Sequence, residues 1–216
     1  MPTRAAPPKP TLILFVRHGQ TPTTGKVLPG RAAGLHLAEA GTAQAEAAAA
    51  RIAAAFPKAA AVYCSPLERT RETAAPIAKA LGLKASVDRG LIECDFGDWT
   101  GAELKGLAKL PEWKTVQRYP SGFRFPGGES FAEMQTRMVS AVGRLVAAHP
   151  GETVVAVSHA DPIKAAVNQA LGAHLDLFQR VVISPCSISA VAYSPLGPTV
   201  LTVNSIAGAL KELKPS

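Results

Sequence analysis

Two apolar runs of this chain end abruptly in histidine, and these breaks concentrate its chemically capable side chains. The run "TLILFV" ends in Arg17 and His18, and the valine-rich "ETVVAVS" ends in His159. Neutral imidazole is a nucleophile and a proton carrier, and the planar guanidinium of arginine binds the oxygens of an oxyanion in pairs. The residue types therefore indicate chemistry on an anion, and phosphate fits best.

A third segment contributes a further cation. Arg69 comes one helical turn after "YCSP", where another strand-like run ends. Ligands of open α/β sheets bind beyond the carboxyl ends of the strands, where loops and helix N-termini gather. We therefore expect Arg17, His18, Arg69 and His159 to meet there. Such groups repel one another unless they surround an anion, and backbone N–H groups at helix starts add further donors.

A carboxylate completes a reaction scheme for this group. Glu93, in "LIECDFGDW", follows a short strand-like segment and is expected at the same rim. In the scheme, neutral His18 attacks phosphorus in line while Glu93 gives a proton to the departing oxygen. Water then releases the phosphate, with Glu93 as the base. Neighbouring cations disfavour protonation of His18, and the negative charge of the substrate favours protonated Glu93.

The elements that must position these side chains alternate between strand and helix. Strands are predicted at Thr11 to Val16, over "AAVYCS", at Ser86 to Asp88 and over "ETVVAV". Helices are predicted at Glu39 to Phe56, over "PLERTRETAAPIAKALG" with Pro66 in its first turn, at Ser130 to Ala148, and from Asp161 onward. Repeated strand-then-helix patterns imply βαβ crossovers.

The C-terminal "CSISAVAYSPLGPTVLTVN" predicts an antiparallel hairpin at or near the sheet edge. The expected fold class is thus α/β, a single three-layer domain with a mixed, mostly parallel sheet and helices on both faces. We assign residues 11–216 to this domain and residues 1–10 to a flexible N-terminal tail. The sequence leaves monomer and homodimer open.

Composition narrows the class of partner. The net charge of +7 is compatible with nucleic acid, an anionic membrane surface or small phosphorylated ligands. The basic residues are scattered and aromatics are few, which favours a small phosphorylated substrate or inorganic phosphate over nucleic acid. No apolar stretch reaches the ~20 residues of a membrane span, and no signal peptide is apparent, so we expect a cytoplasmic protein without membrane contact. The three cysteines show no metal-binding spacing and are expected to be reduced packing residues.

Five blocks of the sequence resemble the histidine phosphatase superfamily, which includes the cofactor-dependent phosphoglycerate mutases. In chain order they are "VRHGQT", "SPLERTRETA", "LIECDFGDWTG", "PGGES" and "VSHADP", and the resemblance extends from Thr11 to Asn204. "SHADPIKAA" and "LDLFQR" look most like a branch of actinobacterial-type probable phosphomutases. The resemblance implies a phosphoglycerate mutase-like fold, with no metal and no cofactor. It also implies roles for five residues: a phosphohistidine at His18, a phosphate pocket of Arg17, Arg69 and His159, and Glu93 as proton donor.

The sequence departs from the family pattern in three places, and the third favours hydrolysis over transfer. Many members have Asn where this chain has Thr24, and Gly where it has Ala160, whose N–H still donates. The longer basic segment of the mutases is not apparent between Glu103 and Gly127. We expect the non-phosphate half of the substrate to contact loop residues around the pocket, namely Gln20, Thr21, Thr24, Arg31, Arg124 and Glu129. Ala160 is also expected to bind substrate, through its backbone N–H.

The sequence therefore predicts a metal-independent phosphomonoesterase, with two alternatives for its function. One is a phosphomutase that moves phosphate between hydroxyls, and the other is a phosphate-recognising module with little turnover. Two alternatives concern the site: Arg69 pairing only with Glu68 or Glu72 on its own helix, and Glu93, Asp95 and Asp98 binding magnesium. The adjacent letters of "SHAD" do not make a Ser-His-Asp triad, because neighbours on a strand point to opposite faces.

Overall fold

Six strands form one sheet in the computed structural model, which describes residues 9–210. The strands are β1 (Thr11–Arg17), β2 (Ala61–Cys64), β3 (Ala85–Val87), β4 (Thr153–Ser158), β5 (Ile188–Ser194) and β6 (Gly197–Ser205). Their order is β3-β2-β4-β1-β5-β6, and the first four are mutually parallel. β5 runs antiparallel to β1, and β6 pairs with β5 at the edge. The mixed, mostly parallel sheet and the edge hairpin are confirmed.

Within residues 9–210, six α-helices connect and cover the strands. They are α1 (Glu39–Ala55), α2 (Glu68–Ala80), α3 (Leu104–Leu107), α4 (Pro111–Arg118), α5 (Phe131–Ala148) and α6 (Ala160–Ala170). The prediction that Pro66 lies in the first turn of α2 was wrong. Leu67 is extended (ψ 145°) and precedes the first helical residue, so Ser65, Pro66 and Leu67 form a short connection instead.

Alternate residues of β1 point to opposite faces of the sheet. Helices cover both faces, and the domain therefore has three layers. Leu12, Leu14 and Val16 pack in one buried cluster with side chains of α1 and α2. Ile13 and Phe15 pack in a second cluster with side chains of α5 and α6. Because the period of a strand is two, the five consecutive apolar residues 12–16 of β1 bury both of its faces. Helices therefore lie on both sides of the sheet, as predicted.

The start of α5 is set by a reciprocal cap. The hydroxyl of Ser130 accepts a hydrogen bond from the N–H of Glu133 (3.2 Å), and the Glu133 carboxylate accepts one from the N–H of Ser130 (2.9 Å). Each satisfies a backbone donor that has no partner within the helix, and such a cap contributes about 1 kcal/mol. The predicted helix from Ser130 begins one residue later because Ser130 is the cap itself.

An aromatic cluster anchors the irregular segment between β3 and α5. The ring centroid of Phe125 lies 4.9 Å from that of Phe96 and 5.0 Å from that of Phe123. Gly97 has φ +51°, and an added Cβ there would lie 2.0 Å from the Pro126 carbonyl oxygen, so only glycine fits. This packing holds the segment that bears Glu93 although it has little regular structure.

Residues 1–8 of the predicted tail and 211–216 of the predicted domain lie outside the described residues. Across residues 9–210, no helix is both long and apolar enough to cross a bilayer. Cys64, Cys94 and Cys186 are free and buried, in keeping with packing roles.

Candidate active site

His18 sits immediately after β1 with one ring nitrogen fixed. Its Nδ1 lies 2.8 Å from the carbonyl oxygen of Gly19. A carbonyl only accepts hydrogen bonds, so this contact places the proton on Nδ1 and leaves the lone pair on Nε2. Burial, followed by the charges of Arg69 and Arg17, lowers the pKa of His18 to about 3. The ring is therefore neutral at physiological pH and has a nucleophilic nitrogen.

Gly19 allows the loop after His18 to lie against two helices. An added Cβ at Gly19 would be 2.4 Å from the carbonyl oxygen of Gly41 in α1. Its N–H donates to the hydroxyl of Thr73 in α2 at 3.0 Å. A larger residue would push this loop away from α1, and His18 would move with it. The glycine of "RHG" thus has a steric reason.

His159 caps α6 and faces His18. The two ring centroids are 5.2 Å apart with the planes inclined by 61°. His159 Nε2 lies 2.8 Å from the hydroxyl of Ser65, at the end of β2. Burial, together with the charges of Arg69 and His18, lowers the pKa of His159 well below its usual range. Two neutral imidazoles from β1 and β4 thus share one buried site.

The guanidinium groups of Arg17 and Arg69 enter this site with some of their N–H groups unpaired within residues 9–210. Arg17 Nη1 donates to the carbonyl of Ile183 (2.7 Å), and Arg69 Nη2 donates to that of Gly30 (2.8 Å). Four buried nitrogens nearby have no hydrogen-bond partner among the described residues: Arg17 Nε, Arg69 Nε, Arg69 Nη1 and His159 Nδ1. Three of these four nitrogens are guanidinium donors. Unsatisfied buried donors are rare and costly, so this cluster indicates an anion-binding pocket.

The alternative in which Arg69 only pairs along its own helix does not fit its surroundings. Its side chain is fully buried and donates to Gly30. Glu72 instead contacts His36 and accepts from the N–H of Leu37 at 2.8 Å. Arg69 is therefore turned inward, toward the two histidines.

Glu93 brings a carboxyl group to the same site. Its Oε2 is 3.9 Å from His159 Nδ1, and its Oε1 accepts from the N–H of Cys94 at 2.9 Å. Burial, and secondarily the charge of Asp161, raises the pKa of Glu93 to about 7. The carboxyl is thus partly protonated near neutral pH, and it can both give and take a proton.

The residues predicted to contact the substrate around the pocket differ in whether they already have partners within the protein. Thr24 Oγ1 accepts from the N–H of Thr21 at 2.8 Å, so it closes the turn after His18. Gln20 has an exposed side chain, and its N–H donates to Gln44 at 3.0 Å. Ala160 opens α6, where the N–H groups of the first turn lack helical partners.

Three other predicted rim residues are occupied by ion pairs. Arg31 Nη2 and Glu129 Oε2 are 2.8 Å apart. Arg124 pairs with Glu133 and also donates to the carbonyl of Gly128 (3.1 Å), with more than half of its side chain exposed. Neither Arg31 nor Glu129 presents an uncommitted charge to a substrate.

The magnesium alternative finds little support in these side chains. Asp95 pairs with Arg31 at 3.3 Å, and Asp98 lies beside Gly127. Within residues 9–210, no three side chains of His, Cys, Asp or Glu cluster as metal ligands do.

Residues 13–206 match the family model described as histidine phosphatase superfamily (branch 1). The chain belongs to the histidine phosphatase superfamily. The match covers Arg17, His18, Arg69, Glu93 and His159, and the predicted family is confirmed.

Two curated relatives and one solved structure show how this superfamily member compares. Bifunctional protein Rv2228c of Mycobacterium tuberculosis is 35% identical over 197 residues, 90% of this chain but only 54% of the relative. Phosphoserine phosphatase 1 of Hydrogenobacter thermophilus is 32% identical over 145 residues, 66% of this chain and 69% of the relative. The mycobacterial glucosyl-3-phosphoglycerate phosphatase Rv2419c superposes with a TM-score of 0.81 at 24% identity, covering 91% of this chain and all of that one.

These comparisons confirm the fold. The chain spans about half the length of Rv2228c, at 54%. At 24% identity the structural likeness shows the fold alone.

The sequence did not identify Asp161 or Arg137 as neighbours of Glu93. Asp161 lies in the first turn of α6 and pairs with Lys164 at 3.4 Å, and its charge acts on both Glu93 and Arg17. Its place two residues after His159 was an available signal. Arg137 of α5 donates to the backbone of the Glu93 segment. No sequence signal linked it to Glu93, because the two belong to separate segments.

Proposed function

We propose that this chain is a metal-independent phosphomonoesterase that hydrolyses a small phosphorylated substrate through a phosphohistidine at His18. The observation that carries the proposal is a cluster of buried nitrogens on Arg17, Arg69 and His159 that have no partner within residues 9–210 and lie next to a neutral His18. Three phosphoryl oxygens satisfy these donors and place phosphorus beside the free Nε2. Membership of the superfamily and the phosphatase relatives support the same reaction.

In the first step, the lone pair of His18 Nε2 forms a bond to phosphorus as the bond to the leaving oxygen breaks. The proton of Glu93 goes to that oxygen, so the product leaves as an alcohol. Arg17, Arg69 and His159 stabilise the charge on the equatorial oxygens. Because monoester hydrolysis in water is extremely slow, a positioned nucleophile and acid are both needed.

In the second step, water attacks phosphorus and the bond to Nε2 breaks. Glu93, now a carboxylate, takes the proton from water, and inorganic phosphate is released. The pKa of about 7 suits a group that changes role between steps.

Replacement of His18 tests the proposal. His18→Ala is expected to abolish turnover of 4-nitrophenyl phosphate and to remove an acid-labile phosphoryl group that can be trapped on the wild type. His174→Ala is the control, because that side chain is largely exposed, with 70% accessibility. Full activity of His18→Ala, or loss of wild-type turnover in EDTA, contradicts the proposal.

The same assay separates the two rival functions. A mutase forms a new phosphoester when an acceptor alcohol is added. A phosphatase releases inorganic phosphate at the same rate with and without that alcohol. A recognition module binds phosphate, or RNA in a salt-sensitive way, without turnover.

A further inference from the structure

Glu93 lies in a segment without helix or strand, and its backbone is held by side chains from elsewhere. Its carbonyl oxygen accepts from Arg31 Nε at 2.9 Å and from Arg137 Nη2 at 3.3 Å. Arg31 belongs to the loop that follows His18, and Arg137 belongs to α5. The segment with the carboxyl group is therefore clamped from two sides.

Arg137 secures more than one peptide of this segment. Its Nη1 donates to the carbonyls of Gly90 (2.9 Å) and Ile92 (2.8 Å). Together with the hydrogen bond to Glu93, the guanidinium of Arg137 donates to three backbone carbonyls within a stretch of four residues. Lysine has a single nitrogen on a flexible stem and cannot reproduce this geometry.

Glu129 joins the two arginines. Its carboxylate accepts from Arg137 Nε and Nη2, both at 3.0 Å, and forms an ion pair with Arg31 at 2.8 Å. It also accepts from the N–H of Asp95 at 3.0 Å, while its own N–H donates to the Asp95 carbonyl at 2.9 Å. Although burial opposes ionisation, the bonds from Arg137 and Asp95 outweigh it and lower the pKa of Glu129.

We propose that Arg31, Arg137 and Glu129 are positioning residues that fix the Glu93 carboxyl group at the leaving oxygen. None of the three needs to touch the substrate, which revises the expectation that Arg31 and Glu129 bind it. The inference rests on the proposed function, since it assumes that Glu93 protonates the leaving group. A misplacement of about 1 Å in a reacting group costs up to ~100-fold in rate, so this clamp is expected to matter for catalysis.

Leaving-group dependence distinguishes positioning from general structural support. A good leaving group, 4-nitrophenolate, needs little protonation, whereas an alkoxide needs it fully. Loss of acid placement therefore lowers kcat/KM for an alkyl phosphomonoester much more than for 4-nitrophenyl phosphate. General loosening of the fold lowers both equally.

The experiment compares Arg137→Lys with Arg144→Lys. Arg144 lies on the same helix in a surface ion pair with Asp88 (2.9 Å), and 57% of its side chain is exposed. We expect Arg137→Lys to lose about 10- to 100-fold in kcat/KM for the alkyl ester and to lose far less for the aryl ester. Arg144→Lys is expected to resemble wild type on both. Glu129→Gln serves as a second variant with the same expected pattern, in case either one folds poorly.

Two further measurements separate the ways in which the inference can fail. Stabilisation by inorganic phosphate reports whether the anion pocket is intact, and it is expected to persist in Arg137→Lys. Glu93→Gln is measured beside it. If Glu93→Gln shows leaving-group selectivity and Arg137→Lys and Glu129→Gln do not, the clamp is overturned and the acid stands. If Glu93→Gln itself shows none, the acid assignment falls, and this inference falls with it.

Discussion

The imidazoles of His18 and His159 meet edge to face at 5.2 Å, and opposite nitrogens of the two rings are occupied. His18 uses Nδ1 for the Gly19 carbonyl, whereas His159 uses Nε2 for the Ser65 hydroxyl. The free nitrogens are thus Nε2 of His18 and Nδ1 of His159. A lone pair on Nε2 of His18 is what the proposed attack on phosphorus requires, and Nδ1 of His159 can donate to a phosphoryl oxygen when the Ser65 hydroxyl donates to Nε2.

Removal of the Ser65 hydroxyl is expected to impair His159 without affecting the fold. Ser65→Ala leaves His159 Nε2 without its partner at 2.8 Å, so the ring loses its fixed orientation. One such hydrogen bond contributes about 1 kcal/mol, so kcat/KM for 4-nitrophenyl phosphate should fall by roughly fivefold to tenfold. Ser194→Ala, in the β5–β6 hairpin, is the control. Equal kcat/KM in Ser65→Ala and wild type would show that the Ser65 contact is incidental.

Activity is expected to fall at alkaline pH because the acid loses its proton. The pKa of Glu93 is raised to about 7, and the first step needs the protonated form. The value of kcat/KM for an alkyl phosphomonoester should therefore decline about tenfold per pH unit above that pKa. In Glu93→Gln the alkaline decline should vanish along with most activity toward alkyl esters. A wild-type profile that stays flat from pH 7 to ~9 is incompatible with this role.

The same carboxyl group is expected to cost folding stability at neutral pH. Its pKa rises from 4.5 to about 7 on folding, so the folded state prefers the proton. The contribution is favourable below the unfolded pKa and is lost as pH rises through the folded pKa. Glu93→Gln should therefore be more stable than ligand-free wild type at pH ~8, and the difference should shrink at pH ~5. Denaturant unfolding at both values measures it. A difference that does not change with pH would contradict the burial of an ionisable group.

Phosphate is expected to stabilise the protein against heat because it satisfies the buried donors. At a concentration of about 100 Kd the gain is ~2.7 kcal/mol, which raises Tm by roughly 5 to 10 °C in a chain of this size. Arg69→Met should lose most of this shift. Arg71→Met, an exposed neighbour on α2, should keep it. A shift that is equal in both variants would place the anion elsewhere.

Much of this fold could be predicted from the sequence because it is determined by local patterns of residues. The apolar β1 with buried faces on both sides, the Ala-rich α1 and the cap at Ser130 all depend on short-range pattern. The start of α2 was misplaced because proline suits both a first turn and an extended connection. In the structure, Leu67 is buried and extended, so the connection includes Pro66 and α2 begins at Glu68.

By itself, the sequence determined the residue types that reach the carboxyl ends of the strands, and so it predicted His18, Arg69, His159 and Glu93. The tertiary structure decided which nitrogen of each ring is free, because the partner of one, Ser65, lies far away in the chain. It also decided the protonation of Glu93, because burial is the main cause of its raised pKa. The clamp of Arg31, Glu129 and Arg137 joins three distant segments. The free ring nitrogens, the protonation of Glu93 and these ion pairs depend on burial and on contacts between distant segments. A local sequence pattern encodes neither.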